Sequence, residues 1–437
     1  MDYSMNRRQF ISGVLKTGVS VSLASTLLQL SACTSTGNQR AITSLRKDPN
    51  GICDLPAGFR YTIISKQGER MSDGLEVPDY HDGMGCFQGP NGELILVRNH
   101  EMPLYFPSDP ESPVPAMAYD PAASGGTTTI WVDQQLNVTR HFLSLTGTIR
   151  NCGGGVTPWG TWISCEEAGT DGWFMGDRHG YCYEVNPRQA LQRIEPLKAM
   201  GRFNHEAIAI DPKSGIVYLT EDDSLGCFYR FLPHERTQLQ KGGVLQALKF
   251  TDNSITHTSK QTLQAHTPYA CEWVNINEPD PEENTVYAQA QAKGAAIFVR
   301  GEGIVAHEDG IYFACTSGGA KGLGQFFRYI PDAMNLGGTI ELVYEAIENG
   351  VLEKPDNITI NAWGDLSICE DNSLDKKCLV GLTASGKHYY IAANAQSEWA
   401  GACFSPNKEI LFANIHKKPG MTIAIQGPWE KLRTSAR

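Results

Sequence analysis

The chain runs to 437 residues, and its 44 Gly, 23 Pro and 41% hydrophobic residues supply both a large core and many turns. Its 37 basic side chains face 48 acidic ones, a formal charge of −11. That balance argues against a nucleic-acid partner and leaves any anionic substrate to be met by local cations, metal or arginine.

Near the start, Asn6-Arg7-Arg8-Gln9-Phe10 carries a twin arginine ahead of an apolar stretch, 14–30, that is interrupted by Lys16 and too short for a membrane span. Leu30-Ser31-Ala32-Cys33 resembles a bacterial lipobox. Residues 1–32 are therefore expected to be a twin-arginine signal, with a lipid on Cys33 as the sole membrane contact on the periplasmic or cell-surface side. Removing them leaves a net charge of −13. Residues 33–54 read as a small, polar tether and 55–437 as the folded body.

Along that body, six polar residues each open a short apolar run that a Gly-containing turn joins to a second apolar strand. The openings are Asp82 in HDGMGCF, Cys152 in NCGGGV, Glu206 in NHEAIAID, Glu302 in RGEGIVAH, Asn357 in DNITI and Glu398 in EWAGACF. Repetition at this spacing predicts an all-β fold, a single six-bladed β-propeller with a metal site on its central axis. The six openings would form a ring of four carboxylates, a thiol and an amide. Such crowding is very unfavourable unless cations fill it. Spacing between the turns is uneven, which places inserted loops near 103–121 and 232–298, where substrate selection is expected. Short helices are expected at 288–293 and 333–336.

Cys152 offers a soft ligand that selects transition metals, whereas carboxylates and amides suit calcium; zinc alone would recruit more Cys and His. Successive strand residues face opposite ways, so of Glu166-Glu167 we expect Glu167 to ligate with Glu166 behind it. Glu221-Asp222 and Glu370-Asp371 repeat the doublet, and Glu370 is taken as a candidate ligand. Asn99 and Glu101 are further candidates, and His205 is a supporting donor. Arg300 lies two residues before Glu302 and so on the same side, either to clamp a phosphate or to neutralise the ring. Of the twelve Cys most sit in apolar runs as core thiols; Cys369 and Cys378 form the pair best spaced for a bridge. No GxSxG elbow, P-loop or dinucleotide fingerprint occurs in a supporting context.

Several stretches resemble the PhoX-type alkaline phosphatase family: RNHE at 98–101, NCGGGVTPWGTWISCEE at 151–167, GRFNHEA at 201–207, RGEGI at 300–304, PDNITINAWGDLSICED at 355–371 and EWAGACFSPNKEILFANIHKKPG at 398–420. The resemblance implies a propeller carrying calcium and iron that hydrolyses phosphate monoesters. By it, Cys152 would be the thiolate bound to iron, Glu206 and Glu302 further metal ligands, Glu167 a calcium ligand, and Arg300 the grip on the substrate phosphate; a monomer acting on small phosphate esters is expected. Two departures stand out: Gly303 where a second acid is frequent, and His416 where Gln is usual. The competing readings are a calcium-dependent lactonase or organophosphate-type hydrolase, and a lipid-tethered propeller without catalysis.

Overall fold

The computed structural model describes residues 43–103, 116–168, 178–348, 350–371 and 376–436. The expected signal, Cys33 with the first part of its tether, and most of the 103–121 excursion lie outside the described residues.

Antiparallel strands supply nearly all of the regular secondary structure of the described residues. Six opening strands, His81–Gln88, Asn151–Val156, His205–Ile210, Gly301–His307, Pro355–Ile360 and Trp399–Phe404, each turn back into a second strand. Three of the resulting sheets have four strands and one has three. The remaining two units are welded into a nine-stranded sheet by Tyr269–Asn275, which pairs with Gly243–Phe250 on one side and Gly337–Glu345 on the other. Arg60–Lys66, from early in the chain, pairs with Met421–Gln426 near its end, so strands from both ends complete one sheet. The opening strands adjoin one another in chain order, and the last returns to the first. The arrangement is propeller-like.

Each opening strand slips register near its start, in five of them directly after the first paired residue, as between His205 and Ile208 or Gly301 and Ile304, and in the sixth one residue later, between Ala400 and Cys403. A bulge here re-aims one side chain and sharpens the local twist. The next residue then lies against the backbone of the neighbouring opening strand, which restricts its size. A Cβ on Gly83 would stand 2.5 Å from the Cys152 carbonyl oxygen. One on Gly303 would stand 2.6 Å from the Ile358 amide nitrogen and 2.7 Å from the Asp356 carbonyl oxygen. Position 303 therefore has no room for a second acid unless the adjoining strand moves, and Gly303 is a packing requirement rather than a vacated ligand site.

Asn99 was expected as a metal ligand, and the structure assigns its side chain elsewhere. Fully buried, its amide nitrogen donates to the carbonyl oxygens of Cys152 (2.8 Å) and Gly153, and its amide oxygen accepts from Trp162 Nε1 and Ser164 Oγ at 2.9 Å each. All of its polar capacity joins the first sheet to the second.

Other expectations shift on physical grounds. The tether contributes to the fold from Thr43 onward: Leu45–Arg46 pairs with Leu55–Pro56, and the Thr43 hydroxyl exchanges hydrogen bonds with the Tyr390 backbone. A helix does form at Val286–Ala292. Residues 333–336 instead make a hairpin turn, because Asp332 accepts from the amides of Met334, Leu336 and Gly337 and so holds the turn against helix. Cys369 lies directly opposite Leu379, which puts Cys378 on the other face of the sheet, and the two thiols remain free. The 232–298 segment carries the two strands of the weld and the helix, joined by irregular connections, and none of its residues lines the axial cavity.

Replacing Asn99 with Ala would leave several buried polar groups between two sheets without partners. We expect a loss of about 3 kcal/mol in urea unfolding with an unchanged m-value; a loss below about 1 kcal/mol would show that the clamp does not join the sheets.

Candidate metal centre

The bulge selects the residues that meet at the axis. One position past the last paired residue of the first five opening strands stand Asp82, Cys152, Glu206, Glu302 and Asp356; in the sixth the slip comes one residue later, and Ala400 is itself the last paired residue. Four of the expected ring members hold this position. In the fifth strand Asp356 holds it in place of Asn357: Asn357 is at the next position, where its amide oxygen accepts from the Gly401 amide. In the sixth the equivalent residue is Ala400, and Glu398 stands two residues earlier, above it.

A second tier follows the ends of the partner strands. The amides of Glu101, Glu167, Asp222, Thr316, Asp371 and His416 donate to the carbonyls of Tyr80, Arg150, Asn204, Arg300, Lys354 and Glu398, at 2.9–3.2 Å in all six repeats. This bond places the residue after each partner strand over the ring. The residue just before it is turned away by the strand alternation. Glu166 accepts from the Ile149, Gly180 and Tyr181 amides and contacts His179 Nδ1 at 2.7 Å. Glu221 accepts from the Cys227 amide and the Tyr229 hydroxyl. Glu370 likewise accepts from the Glu353 and Cys378 amides. Glu370 is therefore a structural acid away from the axis, and Asp371 is its neighbour in the cavity. His205 is structural too: its Nε2 is bound to the Gly201 carbonyl and its ring stacks 3.7 Å from that of Phe203.

A third tier, the residues just before the opening strands, brings the cations. Arg150 and Arg300 have φ of 42° and 52°, a left-handed conformation rare for such residues and costing about 1–3 kcal/mol each. Arg300 grips Asp222 through two bonds of 2.7 Å and reaches Glu302 at 3.0 Å. Arg150 pairs with Glu167 and lies 3.6 Å from Glu101.

Together these tiers line a cavity, open to solvent, whose eleven lining residues are nine carboxylates, the Cys152 thiol and the Arg300 guanidinium. Asp222, Asp356, Asp371, Arg150 and His416 were not anticipated. The sequence signal for the acids was the doublet itself, whose second member faces the axis each time.

Burial, followed by neighbouring acids, pushes the carboxyls of Glu206, Glu302, Asp356 and Glu167 well above the usual range. Glu398 is pushed up to about 7, by burial first, with Asp371 adding to it and His416 opposing. Burial and then Glu206 and Glu167 raise the Cys152 thiol, whose sulfur sits 3.1 Å from the His205 carbonyl oxygen. One oxygen each from Glu206, Glu302 and Asp356 lies within 4.8 Å of the others, as do ligand atoms of Asp82, Glu101 and His416. Both ring nitrogens of His416 are buried without a hydrogen-bond partner. Anionic oxygens that repel one another, a soft sulfur and an unpartnered imidazole fit bound cations. None of the lining residues comes from 232–298, so that segment does not reach the cavity.

These shifts have a sign. A carboxyl whose folded value is raised holds its proton more tightly than in the unfolded chain. Its stabilisation is full below the ordinary carboxylate range near 4.3 and is lost as pH rises through the folded value. Chelator-stripped protein should therefore melt at progressively lower temperature from about pH 4 to pH 7 and beyond. Cations that replace the protons should flatten this slope, and thermal scans of stripped protein that showed no slope would contradict the charge crowding.

The fold is similar to that of solved structures. Pseudomonas fluorescens PhoX, solved in complex with vanadate, a transition state analogue, is similar in fold with a TM-score of 0.69 at 16% identity, covering 89% of this chain and 97% of that one. A gluconolactonase from Xanthomonas campestris gives a TM-score of 0.44 at 10% identity over 89% of this chain and 99% of that one. A Bacteroides thetaiotaomicron protein of unknown function gives 0.46 at 12% over 84% and 76%. No curated protein matches the chain. The sequence profile of alkaline phosphatase PhoX matches residues 41–141 and 134–420, and the chain belongs to that family of phosphatases.

Proposed function

We propose that the propeller-like fold is a six-bladed propeller whose axial cavity holds a calcium and iron cluster and hydrolyses phosphate monoesters outside the cytoplasm. The observation that carries this reading is the convergence of nine carboxylates and one thiol beneath a guanidinium. An acidic cavity of this kind repels a dianionic ester until cations reverse its sign. The donor chemistry divides the ligands. Cys152 with Glu206, Glu302 and Asp356 suits iron, and the outer acids Glu167, Asp222 and Asp371 suit calcium. When bound, the cluster would neutralise charge on the phosphoryl oxygens and polarise the ester.

The chain's own residues bind and orient. Arg300 is 36% exposed at its side chain, whereas Asp222 and Glu302 beneath it are almost buried. Held by Asp222 along one edge, its planar fork is pre-oriented to receive a phosphate. Arg150 stands over Glu101 and Glu167 as a second cation. The two arginines are not equivalent in grip: Arg300 is bound in bidentate fashion and has the fixed orientation a clamp needs. The twin-arginine and lipobox pattern of the first 33 residues supports export with a lipid on Cys33.

Hydrolysis of an aryl phosphate at alkaline pH tests the reading. Arg300→Lys should lower kcat/KM by about 10- to 100-fold, since a point charge cannot reproduce a bidentate hold. Less than about a threefold loss would make Arg300 a mere counter-ion. Cys152→Ala should abolish both activity and the visible absorption expected of an iron–thiolate centre; full activity without the sulfur would exclude the proposed cluster and favour a calcium-only hydrolase.

A further inference from the structure

We propose that His416 turns the part of the cavity bounded by Asp82, Glu101 and Glu398 into a mixed nitrogen–oxygen site for a divalent cation such as zinc or manganese, in place of an all-oxygen calcium site. The inference rests on the reading of the cavity as cation-binding and does not depend on which ester is hydrolysed. The side chain is 1% exposed. Nδ1 stands 3.4 Å from Asp82 Oδ2, and Nε2 stands 3.4 Å from a Glu101 oxygen and 3.6 Å from a Glu398 oxygen. None of these contacts is a hydrogen bond, so the ring nitrogens meet the carboxylates only at ion-pair distance. A cation bound among them would take nitrogen and oxygen donors together.

The ring is held in place. The His416 amide donates to the Glu398 carbonyl and its carbonyl accepts from the His81 amide at 2.7 Å, while Tyr80 packs edge-on at 5.4 Å. Whichever nitrogen ligates, the other faces a carboxylate that fixes the tautomer and strengthens the ligand. Oxygen-only sets suit calcium, and an imidazole shifts preference towards zinc and neighbouring divalent cations. The trio of Glu206, Glu302 and Asp356 contains no nitrogen and lacks this bias.

Metal binding, read apart from catalysis, tests the proposal. Chelator-stripped full-length protein and His416→Gln, which keeps a polar side chain of similar reach, are titrated separately with Zn²⁺ and with Ca²⁺ by calorimetry. His416→Gln should weaken the tightest Zn²⁺ binding by about 10- to 100-fold and change Ca²⁺ binding by less than about threefold. An equal loss for both ions, or none for Zn²⁺, overturns the proposal. Should His416→Gln fail to fold, pulsed EPR of the Mn²⁺-loaded wild-type chain decides: nitrogen coupling from one imidazole supports the site, and its absence overturns it. Unsubstituted protein that hydrolyses no phosphate ester, while His416→Gln still weakens Zn²⁺ binding selectively, would refute the proposed function and leave this inference standing.

Discussion

Mutual repulsion among buried carboxylates is the constraint around which the rest of this structure is arranged. Nine acids share one cavity, several of them almost fully withdrawn from water. Burying even one unpaired charge is strongly unfavourable, and Arg150, Arg300, Lys417 and His416 cannot balance so many. Without cations the acids must hold protons, which is why burial and neighbouring acids raise Glu206, Glu302 and Asp356 together. With cations, the same crowding becomes a densely coordinated, positively biased surface. Neutralisation of the cavity, recognition of a phosphate and the stability of the axis are thus three results of one charge distribution.

The fold meets this constraint with a backbone device repeated six times. A bulge in each opening strand turns one side chain to the axis, and one hydrogen bond from the residue after the partner strand brings a second side chain above it. Neighbouring strands pack so closely that Gly83 and Gly303 leave no space for a Cβ. Rigidity of this kind suits ligands that must stay close despite repelling one another. Function then depends on which side chain each repeat places at fixed positions: Thr316 and Ala400 interrupt the acidic pattern, whereas His416 and the two arginines add nitrogen and positive charge.

Much of this was legible in the sequence wherever the last polar residue before an apolar run is followed directly by Gly or Ala. Asp82, Cys152, Glu206 and Glu302 are such cases, and the structure places all four in the cavity. Where that small residue is missing, the sequence does not say which of two adjoining polar residues is selected. Asp356-Asn357 was read one residue late, and Glu370-Asp371 one residue early. The alternation that separated Glu167 from Glu166 applies to Glu370-Asp371 in the same way, because in both pairs the first acid is the last strand residue and accepts backbone amides. Asn99 could not be read because a clamp and a ligand use the same amide, and only the neighbouring sheet distinguishes them. Arg150 and His416 carried no local motif; their roles follow from the repeat geometry alone.

The family match explains why the long motifs carried the fold so far, yet the charge argument stands without it. A direct test is the mass of the protein as purified without chelator, measured under native and then denaturing conditions. The account predicts a native mass exceeding that of the bare chain by several metal ions, lost together on unfolding. Equal masses in a protein that is fully folded at alkaline pH would contradict it.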